Sequence, residues 1–132
     1  MDRQARILIV DDFSSMRRIV RTVLQDRGYH CTAEASDGRL AWAALQAQRF
    51  DLVVTDLNMP VMSGLELLRK IRSDERCAGT KVLIVTAEAK REQIVEAVAA
   101  GVDDYLVKPF TEQLLRDKID RIMTPRSLGV AA

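Results

Sequence analysis

The sequence predicts an α/β fold in which a parallel sheet is covered by helices on both faces. Strand-like and helix-like patterns alternate five times along the 132 residues, and uninterrupted apolar blocks rich in Val, Ile and Leu recur at 6–10, 51–55 and 81–86. Continuous rather than alternating apolar character is typical of strands buried on both faces, as in parallel sheets. Parallel neighbours are joined by right-handed helical crossovers, which cover both faces of the sheet.

Two weaker apolar runs, at 30–35 and 104–107, complete a set of five predicted strands. For strand–helix repeats of this length we expect a flavodoxin-like, doubly wound five-stranded sheet in the order 2-1-3-4-5, with five helices. The strand order of such a sheet reverses between strands 1 and 3. Ligands of this fold class bind in the crevice at that switch point, beyond the carboxyl ends of the strands.

Five helices are predicted from apolar positions that repeat with helical spacing. Gly28 ends the first helix and Gly101 ends the fourth, which spans about Arg91 to Ala99. The second follows Asp37-Gly38 and the third follows Ser63-Gly64, while Thr111 caps the fifth and Pro125 stops it. The predicted core-facing positions are Met16, Ile19, Val20, Val23 and Leu24; Leu40, Ala44 and Leu45; Leu65, Leu68 and Ile71; and Leu114, Leu115, Ile119, Ile122 and Met123.

Composition indicates one soluble domain spanning 1–132, with a core of about 5–123 and a C-terminal tail at 124–132. The 20 basic and 19 acidic residues give a net charge of +1, which does not favour nucleic-acid or anionic-membrane binding. No apolar run approaches the ~20 residues of a membrane helix, and the N-terminus does not resemble a signal peptide. Cys31 and Cys77 lack metal-site spacing, so we expect buried or half-buried thiols in a cytoplasmic protein.

Polar side chains follow or end four of the predicted strands. Asp11-Asp12 follows the first strand, Asp56 the third and Lys108 the fifth, while Thr86 ends the fourth. In a parallel sheet these ends share one edge, so three carboxylates, a lysine and a hydroxyl converge. Clustered carboxylates repel one another and need a compensating cation, and Mg²⁺ prefers such oxygen ligands together with phosphate. A carboxylate can also act as a nucleophile toward phosphorus. The constellation predicts a magnesium and phosphoryl site.

These residues resemble the receiver domain of two-component response regulators, over about Ala5 to Met123. The likeness rests on Asp11-Asp12, Asp56, Thr86 and the run Lys108-Pro109-Phe110. Within that family the chain is similar to the single-domain chemotaxis type. That narrower likeness is carried by four segments, 11–20, 58–60, 64–68 and 85–90, which have the sequences DDFSSMRRIV, NMP, GLELL and VTAEAK.

The resemblance implies a role for each matching residue. Asp56 is the expected phosphoryl acceptor, and Asp11, Asp12, Asp56 and the backbone carbonyl of Asn58 are the expected Mg²⁺ ligands. Lys108 is expected to pair with a phosphoryl oxygen. The remaining expected roles belong to the Thr86 hydroxyl and the Ala87 backbone N–H, which bind phosphoryl oxygens, and to the Asn58 and Glu88 side chains, which flank the acceptor and tune its hydrolysis.

The resemblance also implies a switch. Phosphorylation is expected to draw the Thr86 hydroxyl inward and to let Tyr105 rotate, which changes the face formed by helix 4, strand 5 and helix 5. The sequence departs from many chemotaxis regulators at Leu57, where they carry tryptophan. It also departs at Asp103-Asp104, which is more acidic and lies beside the expected output face.

The expected function is a stand-alone response regulator that takes its phosphoryl group from a histidine kinase and binds the flagellar motor switch. A phosphatase is a possible further partner. We expect a monomer without nucleic-acid binding or membrane insertion. It is expected not to be an enzyme, beyond self-catalysed phosphotransfer and slow autodephosphorylation. A phosphorelay intermediate or a phosphate sink would use the same site and remains open. A haloacid-dehalogenase-type phosphatase is disfavoured, because it would carry Asp-x-Asp after strand 1 and a cap insertion.

Overall fold

The computed structural model describes residues 4–88 and 90–124, and within them it forms a five-stranded parallel sheet with five helices. The strand order is β2-β1-β3-β4-β5, which confirms the predicted order and the doubly wound fold. The strands are β1 Arg6–Val10, β2 Cys31–Ala35, β3 Leu52–Asp56, β4 Lys81–Thr86 and β5 Asp104–Val107. The helices are α1 Ser14–Asp26, α2 Gly38–Ala47, α3 Gly64–Ser73, α4 Arg91–Ala99 and α5 Glu112–Met123.

The core consists of one apolar layer on each face of the sheet. Alternate β1 residues divide between the layers, with Leu8 and Val10 on one face and Ile7 and Ile9 on the other. The first layer packs under α2, α3 and α4, and the second under α1 and α5. All five residues of β3 are buried, as expected for the middle strand of a sheet covered on both faces. The carboxyl edge of the sheet therefore lies at the end of strands that are packed on both faces.

The predicted helix starts and stops agree with local hydrogen bonding. The Asp37 carboxylate accepts from Leu40 N–H at 2.8 Å, and the Thr111 hydroxyl accepts from Leu114 N–H at 3.1 Å. Ser63 and Glu66 cap each other reciprocally at the start of α3. Two helices end at glycines with positive φ, at +90° for Gly28 and +94° for Gly101, a conformation that glycine adopts without steric cost.

Three predicted core positions are wrong. Ile19, Leu40 and Leu114 are 41%, 42% and 44% exposed, and each lies beside a buried residue such as Val20, Ala41 or Leu115. Successive residues on a helix are separated by about 100° around its axis. Apolar spacing therefore predicts the centre of the buried face, but not whether a residue at its edge is covered. The other predicted core positions are buried or partly buried.

Two expectations about the remainder of the chain also need comment. Cys77 is buried as expected, but Cys31 is exposed because it begins the edge strand β2. The predicted stop at Pro125 and all of the predicted tail except Thr124 lie outside the described residues, as does Ala89. Among the described residues, no helix has the length and apolar character to cross a membrane.

Candidate functional site

Three carboxylates meet at the carboxyl edge of the sheet, as the sequence predicted. Asp11 and Asp12 follow β1, Asp56 is the last residue of the neighbouring β3, and the pairing of Val10 with Thr55 brings the two strand ends together. One carboxylate oxygen from each residue lies within 4.8 Å of the others. Asp11 and Asp56 are buried, whereas Asp12 is exposed, so the cluster has a solvent-facing side.

Lys108 reaches this cluster from the end of β5. Its Nζ lies 3.0 Å from Asp11 Oδ2 and 3.6 Å from Asp56 Oδ2, and the lysine side chain is only 15% exposed. Lys108 N–H donates to the Thr86 carbonyl at 2.8 Å, which ties the lysine backbone to the end of β4. The peptide bond between Lys108 and Pro109 is cis. One ammonium group bridges the ends of β1 and β3, although it originates two strands away from β3.

The Asp56 carboxyl lies in an environment that opposes its ionisation. Burial raises the pKa of Asp56 above its ordinary value of 3.8, against the lowering effect of the Lys108 ammonium, and the nearby Asp11 charge raises it further. Hydrogen bonds from the backbone N–H groups of Leu57 and Asn58 act in the opposite sense, the first at 2.7 Å to Oδ1. A cation entering the cluster would favour the ionised, nucleophilic form.

Asp11 is oriented on both sides by hydrogen bonds. Its Oδ1 accepts from Phe13 N–H at 2.9 Å, and its Oδ2 accepts from the Lys108 ammonium at 3.0 Å. The Asp11 carbonyl oxygen accepts from the Arg17 guanidinium at 2.6 Å, which ties the β1–α1 connection to the first turn of α1. The buried carboxylate is thus fixed in direction before any ligand binds.

The donor set suits a small hard cation. Mg²⁺ takes oxygen ligands at 2.0–2.1 Å in octahedral geometry, so its ligand oxygens are about 2.9–4.2 Å apart. The carboxylate oxygens of Asp11, Asp12 and Asp56 all lie within 4.8 Å of one another, which is close to this range. Asn58 follows β3 by two residues, which puts its carbonyl within the same connection.

A cleft of about 370 Å³ has Asp56 in its lining. Its walls include four residues that the sequence analysis named besides the acceptor: Asn58, Ala87, Glu88 and Lys108. They also include three residues to which it gave no role in the site: Phe13, Ser15 and Met16, the last of which it assigned to the core. Phe13 could have been identified from the sequence, because it directly follows Asp11-Asp12 and precedes the apolar stripe of α1. Its aromatic side chain therefore had no predicted place in the core.

Thr86 and Tyr105 lie on the same face of the sheet. Thr86 alternates with Val82 and Ile84, which belong to the layer under α2, α3 and α4, and Tyr105 packs against that layer from the paired position opposite Ile84. Thr86 is 2% exposed, and its Oγ1 accepts from Glu88 N–H at 3.1 Å. Tyr105 is partly buried on the edge strand, with the Lys118 ammonium 5.9 Å from its ring centroid.

The connection after Asp56 approaches the acceptor backbone closely. A Cβ on Gly64 would lie 2.2 Å from the Asp56 carbonyl oxygen, and Gly64 N–H donates to the Leu57 carbonyl at 2.8 Å. No residue larger than glycine fits there without moving β3. Leu57 itself is 5% exposed and belongs to the core, so this departure from many chemotaxis regulators leaves a well-packed residue beside the acceptor.

The two acidic residues before Tyr105 have structural partners. Asp103 accepts from the Arg72 guanidinium at 2.9 Å and from Val82 N–H at 2.7 Å. Asp104 accepts from the Lys118 ammonium of α5 at 3.0 Å. Both carboxylates therefore tie the start of β5 to neighbouring elements.

Comparisons with known proteins agree with this geometry. Residues 7–120 match the family model for the response regulator receiver domain. The chain is 57% identical over 117 residues to a chemotaxis protein CheY from Pseudomonas aeruginosa, covering 89% of this chain and 94% of that protein.

Two solved structures are similar in fold. One is CheY4 of Vibrio cholerae, with a TM-score of 0.84 and 39% identity over 91% of this chain and 99% of that chain. The other is the receiver domain of the Pseudomonas aeruginosa sensor histidine kinase PA1611, which has a magnesium ion coordinated in its active site cleft. That receiver domain gives a TM-score of 0.80 and 28% identity over 90% of this chain and 97% of that chain. On the family match and the CheY identity, this chain belongs to the response regulator receiver domain family and is similar to CheY proteins within it.

Proposed function

We propose that this chain is a stand-alone response regulator that accepts a phosphoryl group on Asp56 from a histidine kinase, in a reaction that depends on Mg²⁺. The observation that carries the proposal is the buried Asp11 and Asp56 pair bridged by Lys108 at 3.0 and 3.6 Å, with Asp12 exposed beside it. Such a site holds a nucleophilic carboxylate, ligands for a hard cation and a positive charge for a phosphoryl oxygen.

The transfer requires little beyond positioning and charge neutralisation. An Asp56 carboxylate oxygen attacks phosphorus, the bond from phosphorus to the donor nitrogen breaks, and the electron pair leaves with the imidazole ring of the kinase histidine. Asp11, Asp12, Asp56 and the Asn58 carbonyl would hold Mg²⁺, which supplies charge neutralisation for the phosphoryl oxygens. Lys108 then pairs with a phosphoryl oxygen, and the Thr86 hydroxyl and Ala87 N–H bind the others.

Output is proposed to pass through the face formed by α4, β5 and α5. The Thr86 side chain moves toward the new phosphoryl group, and Tyr105, on the same side of the sheet, rotates into the space that Thr86 vacates. Phosphorylation thereby biases a pre-existing equilibrium between two conformations of this face. Several large apolar side chains of these three elements are exposed in the described part of the chain, which suits a protein partner. They are Val95, Val98, Val107 and Leu114, at 57%, 61%, 38% and 44%.

The proposed partner of that face is the flagellar motor switch, in line with the chemotaxis proteins that the chain resembles. A phosphatase acting at Asp56 belongs to the same proposal, as do a cytoplasmic location and a monomeric state. The chain would not be an enzyme with a separate substrate, since its own Asp56 is the phosphorylated group.

The test is binding of a motor-switch N-terminal peptide, with Mg²⁺, in the presence and absence of beryllium fluoride as a phosphoryl mimic. Asp56→Asn is the matched control, because it keeps the size of the side chain and removes the anionic ligand. Peptide binding that tightens only when the mimic is added to wild-type protein supports both the site and the output.

The other outcomes separate the two halves of the proposal. Beryllium fluoride bound at Asp56 without any change in peptide affinity keeps the acceptor chemistry and points to a phosphorelay or sink role. If beryllium fluoride changes the peptide affinity of wild type and Asp56→Asn equally, Asp56 is not part of the phosphoryl site.

A further inference from the structure

We propose that the Phe13 side chain recognises the leaving group of the phosphoryl donor and favours N-phosphorylated imidazole rings over non-aromatic donors. This inference deepens the proposed function and rests on Asp56 being the phosphoryl acceptor. It assigns Phe13 as a specificity-determining residue.

The backbone of Phe13 is held firmly next to the acidic cluster. Its N–H donates to Asp11 Oδ1 at 2.9 Å, and its carbonyl oxygen accepts from the N–H groups of Met16 and Arg17 at 3.1 and 3.2 Å as α1 begins. The origin of the aromatic side chain is therefore fixed by a carboxylate of the site and by the first turn of a helix.

The ring itself serves no purpose in the core. Phe13 is 63% exposed and belongs to neither apolar layer of the described residues, unlike Met16, which packs against the layer under α1 and α5. The Phe13 ring lines the 370 Å³ cleft together with Asp56 and Lys108. Phe13 therefore contributes a mostly exposed aromatic side chain to the cleft that also contains the acceptor.

In-line transfer requires the leaving group to lie in this cleft. The attacking Asp56 oxygen and the departing atom are on opposite sides of phosphorus, so a donor that reacts with the buried carboxylate has its leaving group directed outward. The apolar residues that line the cleft are Phe13, Met16 and Ala87. A flat aromatic leaving group fits against these residues better than a charged acyclic one.

The two donor classes differ in what departs. From an N-phosphorylated imidazole the P–N bond breaks, its electron pair goes to the ring nitrogen, and a neutral imidazole leaves when the other nitrogen carries a proton. From an acyl phosphate the P–O bond breaks and an anionic carboxylate leaves. An imidazole ring can stack on Phe13, whereas a small carboxylate cannot, and one aromatic pair changes a rate by roughly threefold to tenfold.

The experiment compares phosphorylation rates of the full chain with phosphoimidazole and with acetyl phosphate, at equal Mg²⁺, by mass spectrometry of the intact protein. The variants are Phe13→Leu, which keeps apolar bulk, and Phe13→Tyr, which keeps the ring. Ile19→Ala is the matched control, since Ile19 is an exposed α1 residue outside the cleft lining. Because Phe13 is mostly exposed, each variant is expected to fold, which its melting curve checks.

We expect the ratio of the phosphoimidazole rate to the acetyl phosphate rate to fall roughly fivefold in Phe13→Leu. The ratio should stay at the wild-type value in Phe13→Tyr and in Ile19→Ala. An unchanged ratio in Phe13→Leu, with both rates altered equally or neither, overturns the inference while leaving Asp56 as acceptor. Failure of both donors to label wild-type protein overturns the proposed function and this inference together.

Discussion

Arg72 joins three segments around the amino-terminal end of β4, and its removal is the sharpest stability test that the structure offers. Its guanidinium donates to the carbonyls of Ala78, Thr80 and Gly101 and to the carboxylate of Asp103. It thereby links the end of α3 to the α3–β4 connection and to the turn that leads into β5. That turn carries the chain directly to Tyr105, so the same contacts support the proposed output face.

The loss in Arg72→Ala follows from these four hydrogen bonds. Three carbonyl acceptors at about 0.5–1.5 kcal/mol each and one charged pair at about 1.5–3 kcal/mol set an upper range. The Arg72 side chain is 23% exposed, so water can reach part of the site and reduces that total. We expect the free energy of unfolding to fall by about 2–4 kcal/mol, and by about half as much in Arg72→Lys, which keeps the charge and fewer donors.

Urea unfolding followed by circular dichroism measures this difference. Arg69→Ala is the matched control on the same helix, because Arg69 makes one ion pair, to Glu96 at 3.3 Å, with both side chains more than half exposed. Such a pair contributes about 0–1 kcal/mol at most. If Arg72→Ala costs no more than Arg69→Ala at an unchanged m-value, Arg72 does not hold these segments together and the reasoning fails.

Two further predictions test other features of the chain. Gly64→Ala should destabilise the fold and slow phosphorylation, because its Cβ would lie 2.2 Å from the Asp56 carbonyl oxygen. Gly79→Ala should do neither, because its new Cβ would have no atom within 4 Å apart from those of the adjacent residues. Thermal melts and phosphorylation rates of the two variants make the comparison. Hydrogen bonds from Arg76 lower the pKa of Asp74 to about 2 from its ordinary value of 3.8, so they stabilise the fold above pH 4 and progressively less as pH falls toward 2. Arg76→Gln should raise the pKa of Asp74 toward its ordinary range in an NMR titration, because the side-chain bonds and charge of Arg76 are lost while the backbone N–H bond remains. An unchanged pKa would contradict the assigned cause.

The fold was predictable because its strongest signals are local. Continuous apolar runs marked the strands, and Thr111 was predicted as the cap that α5 has. The pairs Asp37-Gly38 and Ser63-Gly64 marked the starts of α2 and α3 to within one residue, since both helices begin at the glycine rather than after it. The failures lie at the margins of helix faces. Whether a residue such as Ile19 or Leu40 is covered depends on the path of neighbouring segments, which periodicity within one helix does not encode.

The site was predictable as a location but not as a set of contacts. The parallel sheet alone brings Asp11, Asp12 and Asp56 to one edge, whereas the reach of Lys108 to two carboxylates depends on the β5–α5 connection and on side-chain rotamers. The Arg72 contacts had no sequence signal, because three of its four acceptors are backbone carbonyls, which every residue possesses. Side chains that bind backbone groups leave no pairing pattern to detect.

The position of Lys108 also links the charge of the site to the proposed signal. When all three acidic side chains are ionised, they outnumber the single ammonium group by two charges, which matches the requirement for a divalent cation. Phosphorylation of Asp56 would replace a carboxylate by a group with more negative charge and more acceptor oxygens, placed further from the sheet. Because Lys108 N–H is bonded to the Thr86 carbonyl, a shift of the lysine toward those oxygens would act on the backbone of Thr86, the first residue of the proposed switch. The same residue would therefore offset one of the three negative charges of the resting site and transmit a change of its charge to β4.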